Sequence, residues 1–147
     1  TMQTDLVPVF VFVFVSLLLA CAGCTDGRPE RVPVAGQVRI DGEPLSAGYV
    51  RFVPEGARPS GGEIGPEGRF NLRCYDGSDG AVPGTHRVEV TAREVLSATS
   101  VRWLAPKKYS SYATSGLVEE ITGPTDSVIL ELSWDGGGPF VETFGTE

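Results

Sequence analysis

The chain has 147 residues and a formal charge of −7, with 12 Lys and Arg against 19 Asp and Glu. That balance argues against a nucleic-acid partner, which selects for basic faces. Nineteen glycines and eleven prolines argue against long helices, and a single His with three Cys argues against zinc.

The first element is the run Val7–Ala20, fourteen apolar or small residues without a charge. That length suits the hydrophobic region of a secretory signal and is short of the roughly 20 residues that span a bilayer. The preceding Thr1–Leu6 departs from the usual pattern, having no Lys or Arg and carrying Asp5. Residues 1–20 therefore read as a signal peptide with a helical apolar region, and 21–33 as a polar, Pro- and Gly-marked tether. About 125 residues remain, enough for one domain.

From Val34 the pattern changes to period two. Val34, Gly36, Val38 and Ile40 alternate with mostly polar neighbours, which predicts a half-buried strand over 34–40. Asp41-Gly42-Glu43-Pro44 predicts a turn, and Tyr49–Val53 a second strand. Short strands are predicted at 63–65, 69–74 and 85–92, with Pro66-Glu67-Gly68 closing a tight hairpin and Asp76–Gly84 a loop. Residues 93–116 show no sustained period of either kind, yet carry Leu96, Trp103, Leu104, Tyr109 and Tyr112. Trp103–Leu117 therefore predicts a long crossover packed by its own large side chains. Strands at 117–121 and 127–132 complete the domain, 34–134, and the Gly-rich acidic segment 135–147 predicts a disordered tail. About seven short strands with turns between them argue an all-β, antiparallel β-sandwich. Its inward residues would include Val38, Ile40, Val50, Phe52, Phe70, Leu72, Val88, Val90, Leu130 and Leu132.

Two resemblances add to this reading. Leu18-Leu19-Ala20-Cys21 resembles the lipobox of bacterial lipoproteins, in which the cysteine is lipidated and becomes the mature N-terminus. Cys21 is the first candidate for lipidation. Cys24, preceded by Ala22-Gly23, is the second. The resemblance implies a cell-envelope protein anchored to the membrane by its N-terminal lipid and facing the extracytoplasmic side. If Cys21 is lipidated, Cys24 and Cys74 remain and could pair. If Cys24 is, Cys74 is a lone thiol. Val34–Val38, Asp41–Leu45 and Gly48–Phe52 resemble the opening of carboxypeptidase-regulatory-like, or transthyretin-like, domains. Gly65–Phe70 is similar to their "D-x-x-G-x-F" hairpin, with Gly65 in place of Asp. Gly80–Val90 is similar to their "P-G-x-Y-x-V-x-V" strand, with His86 in the aromatic place. Pro106–Tyr109 and Thr114–Leu117 resemble small planctomycete-type lipoproteins built on this domain. The resemblance covers roughly residues 32–132 and implies a fold, not an activity.

Candidate chemistry is sparse. Asp76-Gly77-Ser78-Asp79-Gly80 supplies two carboxylates, short of the 6–8 oxygens calcium takes, and reads as a solvated turn. His86 has no "G-x-S-x-G" elbow to work with, and no zinc-protease motif is present. No catalytic, cofactor-binding or metal-ligating residue is assigned, and the expectation is a non-enzymatic binding or structural role. Trp103, Lys107, Lys108 and Tyr109 form the candidate partner-binding patch, because aromatic faces stack on sugars or partner side chains and lysines add charge. An envelope protein or a polysaccharide is the expected partner. The alternatives are a transthyretin-like hydrolase and a carbohydrate-binding module.

Overall fold

The computed structural model describes residues 26–145. The expected signal helix and the lipidation candidates Cys21 and Cys24 lie outside these residues.

The described chain is all-β. Its strands are β1 (Val34–Ile40), β2 (Glu43–Pro44), β3 (Gly48–Pro54), β4 (Ser60–Ile64), β5 (Arg69–Asn71) and β6 (Gly84–Thr91). They continue as β7 (Arg93–Ser97), β8 (Ser100–Trp103), β9 (Leu117–Ile121), β10 (Thr125–Leu132) and β11 (Phe140–Thr143). A single 3-10 turn, Lys107–Ser110, lies between β8 and β9.

One sheet centres on β1, which pairs β10 on one side and both β2 and β5 on the other. A second sheet runs β4-β3-β6-β9, and a third, smaller one runs β11-β8-β7. No sheet closes into a barrel. The first two sheets share one core. Period-two alternation turns Val34 and Val38 of β1, Val50 and Phe52 of β3, Val88 and Val90 of β6, and Leu130 and Leu132 of β10 into it. Phe52 from one sheet meets Phe70 from the other at 6.0 Å between ring centroids. Of the ten residues expected to point inward, nine are buried and Ile40 is partly buried against the same core. Gly68 closes the β4–β5 connection at φ +77°, a backbone conformation that residues with a Cβ rarely adopt.

Several expectations need correction. The sandwich-like body is not wholly antiparallel, since β1 and β10 run parallel. Parallel neighbours need a long crossover, and the whole stretch between Ile40 and Thr125 serves as one. There are eleven strands among the described residues rather than about seven. The additional ones, β2, β7, β8 and β11, lie at edges or in the third sheet, where few residues face the core and the apolar alternation fades. The expected disordered tail carries β11, because Phe140 finds Trp103 and Trp134 to pack on. The 69–74 strand ends at Asn71, although Leu72 and Cys74 keep their buried places.

The expected tether is folded from Asp26 onward. Val32 is buried and exchanges backbone hydrogen bonds with Ala81 at 2.9 and 3.0 Å. Arg28 pairs with Asp76, and Arg31 pairs with Asp79 at 3.1 Å and with Asp26 at 3.0 Å. Both guanidiniums also cover the Tyr75 ring, at 4.7 and 5.0 Å from its centroid.

Candidate functional site

Trp103 ends β8, and the chain then reaches Lys107, Lys108 and Tyr109 in the 3-10 turn. Pro106 starts that turn, its ring fixing a φ of −55°. The four candidate residues are neighbours in sequence, but they serve two separate packings. Tyr109 is buried in the core shared by the two large sheets. Its hydroxyl accepts the Ser133 N–H at 3.0 Å, tying the turn to the end of β10. Trp103 is equally buried but belongs to the third sheet, where Phe140 stacks on it at 6.4 Å and 19°. Neither ring face lies open as a stacking platform.

The lysines divide in the same way. Lys107 sits 5.5 Å from the Trp103 ring centroid, and Lys108 5.0 Å from that of Tyr109. Each has a carboxylate from the C-terminal segment. Lys107 donates to Glu142 Oε1 at 2.7 Å, while Trp103 Nε1 donates to the other oxygen of the same carboxylate at 2.8 Å. Those two donors hold the Glu142 carboxyl below its ordinary pKa. Lys108 donates to Asp135 at 2.6 Å, which holds Asp135 below and Lys108 above their ordinary values. Arg93 adds a third cation 5.9 Å over Trp103.

Composition finds Trp103 and the lysines but misses Glu142, Asp135 and Arg93. The one trace in the sequence is the strand-favouring pair Phe140-Val141 beside Glu142, set in a Gly-rich stretch, and it does not extend to Asp135 or Arg93.

The remaining candidates take structural places. Asp79 caps its own loop. Burial works to raise its pKa, but the N–H groups of Cys74, Tyr75 and Asp76, with Arg31, outweigh it and hold the carboxyl low. Among the described residues no group of carboxylates, His or Cys is placed to hold a metal ion. Cys74 is buried, its Sγ 3.8 Å from the Arg58 carbonyl. His86 is fully buried, 5.8 Å from the Phe52 ring, with Nε2 2.8 Å from the Val82 carbonyl. Glu119 stands opposite His86 in the β6–β9 register, and burial raises its pKa. Tyr112 lies on the outer face under the Arg87 guanidinium, 4.6 Å from its centroid.

The chain matches no family model, no curated protein and no solved structure.

Proposed function

We propose that this chain is a lipid-anchored protein of the cell envelope. Its folded part is a transthyretin-like, or carboxypeptidase-regulatory-like, β-sandwich on the extracytoplasmic side, with a non-enzymatic binding or structural role toward an envelope protein or polysaccharide. The observation that carries the reading is the uncharged run Val7–Ala20 ending at Cys21, followed so closely by packed structure at Asp26. A fully extended chain covers about 3.3–3.6 Å per residue, so the five steps from Cys21 to Asp26 span roughly 17 Å at most. On this reading the domain is held near the bilayer surface rather than carried on a long tether. The non-enzymatic part is supported by His86, whose sealed imidazole is in no position to meet a substrate.

The test is acylation. A diacylglyceryl thioether with an N-acyl chain exceeds the two signals that stable anchoring takes. Replacing Cys21 and Cys24 together by Ala should leave an unprocessed precursor or release the protein from the membrane fraction. Mass spectrometry that finds an unmodified mature N-terminus beyond Cys24 overturns the reading.

A further inference from the structure

Five of the ten arginines, Arg28, Arg31, Arg39, Arg51 and Arg102, pair with carboxylates. Arg28 and Arg31 do so on one side of Tyr75. Arg58 also covers the Tyr75 ring, at 4.8 Å, and has none. Among the described residues Arg58, Arg69, Arg73, Arg87 and Arg93 do not come within ion-pair distance of a carboxylate, and of these Arg58 and Arg73 line one depression.

The sheet brings these arginines together. Arg51 of β3 stands opposite Gly61 of β4, and Gly61 exchanges hydrogen bonds of 3.0 and 2.9 Å with Arg73 on its other side. Residues opposite one another in a sheet point to one face, and adjacent strands lie about 4.8 Å apart. Arg51 and Arg73 are thus about 10 Å apart across a residue without a side chain. Tyr49 folds its phenol over that gap, where a Cβ on Gly61 would overlap it. With Arg58 and Tyr75 these residues line an open depression of about 420 Å³.

The guanidiniums are partly oriented in advance. The Arg58 Nε donates to the Cys74 carbonyl at 2.7 Å while its plane covers Tyr75, which leaves its terminal nitrogens free to donate elsewhere. Arg51 is held by Glu89 at 3.3 Å through one terminal nitrogen. Glu89 offsets one of the three cations, and Glu63, opposite Tyr49, shares the face without lining the depression, whose own lining is cationic. A planar carboxylate has two oxygens and is saturated by one or two such forks. Inorganic phosphate or a phosphate monoester presents more oxygens in a tetrahedral array and carries about −1.5 to −2 charge near neutral pH, which suits guanidiniums that converge from several directions.

We propose that the depression formed by Tyr49, Arg51, Arg58 and Arg73 is a binding site for a phosphate group. The arginines donate to its oxygens, and the Tyr49 hydroxyl supplies a further donor over Gly61. Soluble phosphates and a monoester headgroup such as that of phosphatidic acid offer the same chemistry, and the experiment separates them.

The protein for the test is the full chain with Cys21→Ala and Cys24→Ala, so that no acyl chain contributes and the outcome is independent of lipidation. One arm titrates inorganic phosphate calorimetrically at constant ionic strength, with sulfate as the comparison. The other measures co-sedimentation with vesicles of phosphatidic acid in phosphatidylcholine against phosphatidylglycerol in phosphatidylcholine at matched surface charge. Saturable binding in the first arm assigns a soluble source, binding only to the phosphatidic acid vesicles assigns a headgroup, and equal binding to both vesicles is general attraction to an anionic surface and overturns the site. Either of the first two results supports the proposal if Arg58→Gln with Arg73→Gln weakens it about tenfold or more, the size expected for lost charge-assisted bonds, with the melting temperature unchanged. Should the double variant fail to fold, Tyr49→Phe decides. A several-fold loss supports the site, and unchanged affinity overturns it. Binding in neither arm, binding indifferent to the arginines, or sulfate held as tightly as phosphate also overturns it.

Discussion

The two large sheets and the small sheet β11-β8-β7 are held by different physics. Between the large sheets, Val38, Val50, Phe52, Phe70, Leu72, Val88, Val90 and Leu130 are sealed from water. Apolar burial of that kind responds little to pH or salt. In the small sheet all five residues of β7 are exposed, and Phe140 and Val141 are about half covered. It closes on Trp103, on the Phe140 stack and on the Lys107–Glu142 pair. Trp103 lies outside the shared core, whereas Tyr109, six residues on, lies within it. Few buried apolar contacts and many exposed backbone groups mark a region that opens at a lower free energy than the body it belongs to.

The sharpest way to break this contrast is to attack each part at its own anchor. Phe70→Ala should cost about 3–5 kcal/mol and melt the whole domain, as cavity-forming changes in a sealed core do. A loss under about 1 kcal/mol in denaturant unfolding, the size of an unremarkable substitution, would show that the core is not shared as described. Trp103→Ala removes a buried indole, its stack on Phe140 and its hydrogen bond to Glu142, and should cost about 3–5 kcal/mol, taken from the small sheet. Amide exchange should then rise along β8 and β11 while protection in β3 and β6 persists. Uniform loss of protection across all strands would mean that the two regions open as one.

Acid should act on the small sheet, and on the loop that Asp79 holds with Arg31, before the apolar core. The folded Glu142 and Asp135 carboxyls lie below their ordinary values because Lys107 with Trp103, and Lys108, hold them ionised. Their contribution is present above the ordinary carboxylate range near pH 4 and is lost as the pH falls through the lowered folded values. Both tryptophans of the chain touch Phe140, so intrinsic fluorescence reports on this region, while far-UV circular dichroism follows all the sheets. A fluorescence change below about pH 4 that precedes the loss of sheet signal is the expected order. Coincident curves would contradict it. The smallest effect belongs to Lys107→Ala with Lys108→Ala. Both side chains are half exposed, and their pairs are screened by water and salt. The double variant should leave the melting temperature unchanged within error and shift only the fluorescence midpoint in acid.

The sequence by itself determined the body. Strand 34–40 is legible to the residue because half-buried strands must alternate apolar and polar side chains with period two, whereas strand 117–121 follows no such alternation, with Val118 turned to solvent and Glu119 inward. The same rule placed Phe52, Phe70, Val88 and Leu130 inside, and His86 beside them. It also offered Trp103, Lys107, Lys108 and Tyr109 as a group, since large aromatic and charged residues stand out in an otherwise irregular stretch.

Only the tertiary structure decided which partners those residues meet. β7 and β11 bury too little to leave a periodic trace and β8 is only four residues long, so the third sheet was not legible, and the counter-ions Glu142 and Asp135 lay in a segment whose glycines suggested disorder. The parallel pairing of β1 with β10 joins strands far apart in the chain, and no local pattern specifies such a neighbour. The same holds for Arg51, Arg58 and Arg73. Each reads alone as a solvated cation. Strand register sets Arg51 and Arg73 on either side of Gly61, and Arg58 is added because its guanidinium is held by the Cys74 carbonyl and Tyr75. Register is a property of paired strands, and it becomes fixed only when both are in place.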